Sequence, residues 1–203
     1  MTPYIFEITK GPLDMRKRKL LLHENYIEYQ AGNMPSLKTA RINKTDIKEV
    51  RIGMRITRGI EFPVGRQFIF EFRKSPLNVF RIRFSSSVKN RKNNSVKLFN
   101  EINNAIWNLY LNEIIAHWQI DFDHGKQIKL AKVMINKSGV FFKKKTSINR
   151  KLLFVEWSDL KLTDYHENFY LGSKKNKNSK RLLNVCDDWN AVMLYQFIKN
   201  NLP

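Results

Sequence analysis

The sequence predicts a mostly β protein in which one fold occurs twice. Residues 22–27 correspond to 135–140, and residues 42–48 correspond to 155–161, at one constant spacing that we call the repeat offset. A single gap-free offset shared by two separate blocks indicates an internal duplication. Each half also ends in a segment with helical spacing of apolar residues. We therefore predict two domains, residues 1–118 and 119–203, each an antiparallel β structure closed by a C-terminal helix.

Seven short strands in succession are predicted in the first half. Segments 67–72 and 79–84 alternate between apolar and polar residues, which is typical of strands with one buried face. Turn-forming residues separate the segments, a pattern typical of an antiparallel barrel or sandwich. The predicted strands are 4–8, 19–22, 26–30, 37–42, 47–56, 67–72 and 79–84.

A long helix is predicted to follow these strands. Apolar residues recur at spacings of three to five from Val96 to Trp118, which predicts a helix about 23 residues long, or ~35 Å. We expect its first half to close the first domain and its second half to lead into the second.

The second half repeats the scheme with shorter segments. Asp187 or Asp188 is predicted to cap a final helix that contains Trp189 and Phe197. The predicted strands are 128–135, 140–145, 152–157, 160–165, 169–171 and 181–185.

Two motifs in the second half resemble the bacterial pleckstrin-homology (PH) and GRAM-like families. They are the hairpin sequence INKSGV at 135–140 and the sequence FVEWSDL at 154–160. The resemblance implies two tandem PH-like domains, each a partly open antiparallel barrel of about seven strands closed by a C-terminal helix. Members of these families mostly bind lipids, peptides or proteins, and few are enzymes. The first half has Lys44 where the motif has Trp157.

The residues of the motif are expected to have structural roles. Gly139 permits the positive φ of a tight hairpin turn. Trp157 is a large apolar anchor whose indole N–H needs an acceptor. Asp159 can accept hydrogen bonds from backbone amides where the chain enters the next strand.

The net charge of +19 favours an anionic partner, which could be nucleic acid, anionic lipid or an acidic protein. The alternative is that Lys and Asn enrichment reflects an AT-rich genome and serves solubility. Phe141 and Phe142 beside Lys143 could form a base-stacking platform, but in a strand one of them must face the core. The candidate anion-binding residues are Arg16, Lys17, Arg18, Lys19, Lys143, Lys144, Lys145, Arg150, Lys151, Lys174 and Lys175.

Catalytic and metal-binding patterns do not emerge from the sequence. The single Cys186 excludes an internal disulfide and Cys-based zinc sites, and it fits a reducing compartment. No Gly-rich phosphate loop occurs, and the neighbours His117, Asp121, Asp123 and His124 fit an exposed linker better than a metal site. We expect no cofactor, no metal and no small-molecule substrate.

These observations favour a non-enzymatic binding or scaffold module that recognises a protein or peptide. The alternative is peripheral binding to anionic membrane lipids, or to nucleic acid, through the basic clusters. The first seven residues lack the basic and apolar regions of a signal peptide, and no apolar run approaches the ~18 residues of a membrane span. We therefore predict a cytoplasmic protein. The alternative is a peripheral location at the inner face of the membrane.

Overall fold

The structure is a computed structural model that describes residues 2–11, 14, 16–30, 39–58, 63–87, 94–143, 152–165 and 167–202. Of these residues, 52% lie in strands and 28% in helices. The strands form four antiparallel sheets. The prediction of a mostly β protein is therefore confirmed. By its internal contacts the chain divides into two compact units, Met1–Asn112 and Glu113–Pro203.

The first unit contains a four-stranded sheet followed by a three-stranded sheet. Strands of the first sheet pair in chain order, and alternate residues such as Leu20, Leu22 and Ile27 are fully buried. In the second sheet, Phe68, Phe70 and Phe72 are buried on the central strand, as the alternation predicts. The strands are β1 (Tyr4–Ile8), β2 (Arg18–His23), β3 (Tyr26–Gln30) and β4 (Thr39–Asn43), then, after a 3-10 turn (Lys44–Asp46), β5 (Glu49–Arg58), β6 (Pro63–Ser75) and β7 (Asn78–Ser87).

Helical residues follow β7 in three segments. These are α1 (Asn94–Ile106), a π-helical turn (Trp107–Leu111) and α2 (Asn112–Asp123). Tyr110 in the π-helical turn is fully buried. Its hydroxyl lies 2.5 Å from the carbonyl oxygen of His23 and donates to that of Tyr26 at 2.9 Å. The helix of the first unit is thereby fixed to the β2–β3 hairpin.

From β8 onward, the described elements of the second unit follow the same order as those of the first. Its strands β10 and β11 and its 3-10 turn match β3, β4 and the first 3-10 turn at both ends, each displaced by the repeat offset. The repeat offset therefore relates secondary-structure elements of the two units as well as blocks of sequence. The elements are β8 (Ile128–Leu130), β9 (Val133–Asn136), β10 (Gly139–Lys143), β11 (Leu152–Glu156), a 3-10 turn (Trp157–Asp159), β12 (Leu160–Tyr165), β13 (Asn168–Ser173), β14 (Lys180–Asn184) and α3 (Ala191–Asn201).

Gly139 lies where two strands approach each other too closely for a side chain. It is the first residue of β10, directly after a turn in which the Asn136 side chain accepts hydrogen bonds from the amides of Ser138 (3.0 Å) and Gly139 (3.1 Å). A Cβ atom on Gly139 would lie 2.3 Å from the carbonyl oxygen of Val155 on β11. A substitution would therefore force the backbones of β10 and β11 apart.

Gly139→Ala is expected to lower the free energy of unfolding by about 3 kcal/mol, the upper end of the usual cost of overpacking. Gly125→Ala is the matched control, because no atom of the described residues beyond its chain neighbours lies within 4 Å of the position of its Cβ. Its φ of 79° still disfavours alanine, so we expect a cost of about 1 kcal/mol. Urea unfolding of both variants measures the two costs, and equal costs would contradict the close-approach argument.

Two local predictions for the second unit were wrong. The predicted strand 128–135 is interrupted by a turn at Ala131 and Lys132, whose φ angles of 47° and 62° are typical of a type I′ hairpin. Such turns favour Asn and Gly, so these two residues gave no turn signal. The final helix starts later than predicted, after Asn190, whose φ is 60°. Asp188, a predicted cap, instead accepts a hydrogen bond from the Asn184 amide at 3.0 Å.

Candidate binding surfaces

The predicted cluster at residues 16–19 does not form one surface. The Arg18 side chain is 1% exposed and donates to Asp14 at 2.6 Å. Lys17 pairs with Glu7 at 2.7 Å. Lys19 follows Arg18 on β2 and therefore faces the opposite side of the sheet, where it is exposed. Arg16 is exposed as well, so three of the four basic residues are exposed and Arg18 is buried.

The predicted basic residues of the second unit are also separated. Lys143 is exposed at the end of β10, opposite Leu152, the first residue of β11. Lys174 and Lys175 are exposed in the β13–β14 connection, and their amides donate to the Asp159 carbonyl (2.7 Å) and carboxylate (3.0 Å). Asp159 lies in the 3-10 turn after β11, so the length of that strand separates Lys143 from the Lys174–Lys175 pair. The remaining members, Lys144, Lys145, Arg150 and Lys151, lie outside the described residues.

Trp157 and Asp159 have the structural roles that the sequence predicts. The Trp157 indole N–H donates to the Asn136 carbonyl at 2.9 Å, and its ring meets Phe122 edge-on at 5.9 Å between centroids. The Asp159 carboxylate accepts from the Ser173 hydroxyl at 2.5 Å and from the Lys175 amide. These hydrogen bonds, led by the one from Ser173, hold the pKa of Asp159 below its ordinary value of 3.8.

Asp159→Asn is expected to lower the melting temperature at pH 7 and to have a much smaller effect at pH 2. A carboxyl group whose pKa falls on folding stabilises the protein above its unfolded pKa, and this contribution disappears as the pH falls through the lowered folded value. Melting temperatures of the wild type and the variant at several pH values measure the difference between the two proteins. Asp121→Asn, which also removes an exposed carboxylate, is the control for net charge. A difference in melting temperature that stays constant with pH would contradict a stabilising role for the ionised Asp159 carboxylate.

The outward face of the four-stranded sheet in the second unit carries a group of apolar side chains that we call the aromatic face. Its members are Met134, Phe141, Leu152 and Phe154. Phe141 and Phe154 stand opposite each other on β10 and β11, with ring centroids 4.6 Å apart. Phe154 is 45% exposed and Leu152 is 49% exposed. Contiguous apolar groups that remain exposed on a folded unit mark interaction surfaces more often than single residues do.

The first unit is polar at three of the four equivalent positions: Thr39 corresponds to Leu152, whereas the apolar Leu21 corresponds to Met134. At the repeat offset, Phe141 corresponds to Glu28 and Phe154 corresponds to Arg41, and these two also stand opposite each other in the first unit. The same fold position can therefore be occupied by charged residues that water solvates well. Apolar residues at these positions are not a requirement of the sheet itself.

Lysines flank the aromatic face. Lys143 stands opposite Leu152 on the neighbouring strand, and Lys129 stands opposite Met134. Both lysines are exposed, whereas Glu156 is the exposed acidic residue on the same side of β11. The face thus combines an apolar centre with a rim that carries more positive than negative charge among these residues. This composition fits a ligand with apolar and acidic groups.

The sequence predicted only part of this surface. It predicted that one of Phe141 and Phe142 must face the core, and Phe142 is fully buried while Phe141 points outward. It did not identify Leu152 and Phe154. The available signal was the alternation along β11, which places both of these apolar residues on the same face as the charged Glu156.

Comparison with known proteins found no matching family model, no matching curated protein and no matching solved structure. Within the described ranges, no group of three or more His, Cys, Asp or Glu side chains is placed to hold a metal ion. In the same part of the chain, no helix has both the length and the apolar composition needed to cross a membrane.

Proposed function

We propose that this chain is a non-enzymatic, cytoplasmic binding module of two PH-like domains that recognises a protein or peptide partner. The observation that carries the proposal is the aromatic face of the second unit, an exposed apolar surface that has Phe141 and Phe154 where the first unit has Glu28 and Arg41. The partner is a peptide segment whose apolar side chains pack on Phe141 and Phe154 and whose acidic side chains pair with the flanking lysines.

The order of elements supports the PH-like assignment. Among the described residues, each unit has four antiparallel strands, a 3-10 turn, three antiparallel strands and a helix, in that sequence, and α2 precedes them in the second unit. The motif residues 135–140 form the β9–β10 hairpin, and residues 157–159 of the second motif form the 3-10 turn. A crystal structure of the full chain tests the assignment. The two units should superpose over all seven strands and the final helix, and sheets that do not enclose a common core would contradict it.

Burial of the aromatic face provides the binding energy in this proposal. Covering a large apolar side chain such as Phe or Leu stabilises a complex by about 1.5–3 kcal/mol when the side chain starts fully exposed. Phe154 and Leu152 are each close to half exposed, so each contributes roughly half of that range. The flanking lysines add long-range attraction for acidic groups and favour an acidic partner over a basic one.

Selection from a random peptide library displayed on phage tests this proposal. The full-length chain serves as the target, and Phe154→Arg serves as the counter-selection target. We expect enriched peptides to combine acidic with aromatic or aliphatic residues and to bind the wild type alone. Peptides that bind both targets equally would contradict the assignment of the aromatic face.

Binding to an anionic membrane or to nucleic acid is the second candidate, and the charge of +19 favours it. Exposed Lys174, Lys175 and Lys177 in one connection add a local basic site. Binding to anionic vesicles, DNA and RNA over roughly 50 to 300 mM salt tests it, because phosphate contacts weaken steeply over this range. Tight binding with a steep salt dependence supports this candidate, and the absence of binding at the lowest salt rejects it.

A further inference from the structure

Three arginines of the first unit surround one buried carboxylate on the outward face of the three-stranded sheet. Arg51, Glu71 and Arg81 form one row across β5, β6 and β7. Arg83 lies two residues further along β7, on the same face. Glu71 is only 1% exposed although it lies on the outward face. We call these four residues the arginine cluster.

The guanidinium groups converge on a single carboxylate. Arg83 donates to Glu71 Oε1 from Nε at 2.8 Å and also from a terminal nitrogen. Arg81 Nε lies 3.5 Å from the same oxygen, and Arg51 Nε lies 3.5 Å from Oε2. The Glu71 carboxylate therefore orients the three guanidinium groups from the side of the sheet. Strands β5, β6 and β7 are hydrogen-bonded in one sheet. The backbone positions that carry the arginines are therefore fixed relative to one another before any ligand binds.

Three guanidinium groups and one carboxylate leave a charge of +2 in the cluster. A buried carboxylate needs one well-placed cation for compensation, so the cluster contains more positive charge than Glu71 requires. Arg81 and Arg83 are 57% and 47% exposed, and both have donors beyond those directed at Glu71. Both side chains reach the surface of the unit and share Oε1 of Glu71 as a contact.

We propose that the arginine cluster binds a phosphate monoester dianion. A monoester carries close to two negative charges at pH 7, which matches the charge of the cluster. Planar guanidinium forks bind two oxygens of one phosphate, and Arg serves this purpose better than Lys. Because Arg81 and Arg83 both contact one oxygen of Glu71, their terminal N–H groups that do not face Glu71 belong to neighbouring side chains and can pair with a single phosphate group. The surface differs from the aromatic face, so the two proposals succeed or fail separately.

Titration of the full-length, ¹⁵N-labelled chain with inorganic phosphate tests the proposal, with chloride used to keep the ionic strength constant. We expect saturable shifts of the amides in β6 and β7 around Glu71. Arg81→Gln should weaken phosphate binding at least about tenfold, the loss of one charge-assisted pair. Lys97→Gln is the matched control, because it removes one exposed positive charge from α1 of the same unit and should leave the affinity unchanged.

Arg81 is the first choice for substitution because Arg51 and Arg83 still compensate Glu71 in its absence. Unchanged amide shifts outside β6 and β7 will show that the variant is folded. Amide shifts that do not saturate would overturn the proposal, and so would equal losses of phosphate affinity in Arg81→Gln and Lys97→Gln. Either result would mean that the arginine cluster is an ion-pair network within the sheet and not a phosphate site.

Lipid and soluble sources of the phosphate are then separated with vesicles. Phosphatidic acid is a monoester and phosphatidylglycerol is a diester, so vesicles that contain one or the other at equal negative surface charge compare the two chemistries. Preference of the wild type for phosphatidic acid, lost in Arg81→Gln, identifies a lipid monoester as the source. Saturable binding of inorganic phosphate without this preference identifies a soluble monoester. Preference for phosphatidylglycerol would contradict recognition of a dianion.

Discussion

Glu71→Gln is expected to lower the free energy of unfolding of the first unit by about 3 kcal/mol, because removing the acceptor of a buried ion pair leaves the remaining charges without compensation. The usual cost of such a change is roughly 3–5 kcal/mol. We expect the lower end of this range, since Arg81 and Arg83 are about half exposed and can turn toward water. Arg51 is 23% exposed, less than either of the other two.

Hydrogen exchange read by mass spectrometry measures this effect in the unit where it occurs. Peptides from β5, β6 and β7 should exchange faster in Glu71→Gln, while peptides from β12, β13 and β14 should not change. Glu49→Gln is the matched control, because Glu49 is partly exposed and pairs with Arg73 on the same sheet. It should cost under about 1 kcal/mol. Equal effects of the two substitutions would show that Glu71 does not organise the arginine cluster.

Phe154→Ala is expected to weaken binding of a selected acidic peptide roughly four- to twelvefold. Truncation removes the burial of a half-exposed aromatic side chain, which contributes about 0.75–1.5 kcal/mol of binding free energy. Phe154 stands opposite Phe141 and next to the exposed Leu152 along the same face, so its loss opens the centre of the aromatic face. Calorimetric titration of the full-length chain with the peptide measures the change.

Tyr165→Ala is the matched control for this experiment. Tyr165 is an aromatic residue of the second unit, 57% exposed, that lies on β12 outside the aromatic face. Its truncation should change the affinity by less than about twofold, because a residue outside the interface contributes little to binding. Comparable losses in both variants would mean that any exposed aromatic side chain attracts the peptide.

The repeat and the strand pattern were predictable because they depend on local alternation and on one constant spacing along the chain. Strands β1, β3 and β12 have the bounds that the sequence predicted. The repeat offset ends after the 3-10 turns, since β5, β6 and β7 are longer than β12, β13 and β14. The equivalence of the two three-stranded sheets therefore became apparent only from the order of pairing.

The candidate surfaces were harder to predict because they depend on pairing between strands. Alternation predicted that Arg81 and Arg83 point outward, but their convergence on Glu71 requires the register of β6 against β7. Arg18 looked like part of a surface cluster, yet the pleat of β2 directs it inward toward Asp14. A run of basic residues in a sequence does not reveal which of them share a face.

Binding of the partner at the aromatic face of the second unit is tested by mapping the contact site of a selected acidic peptide with amide shifts of the ¹⁵N-labelled full-length chain. We expect the largest shifts at Met134, Phe141 and Phe154, on three adjacent strands of one sheet. Shifts centred on the Lys174–Lys175 connection or on the first unit, with β9, β10 and β11 unchanged, would contradict binding at the aromatic face.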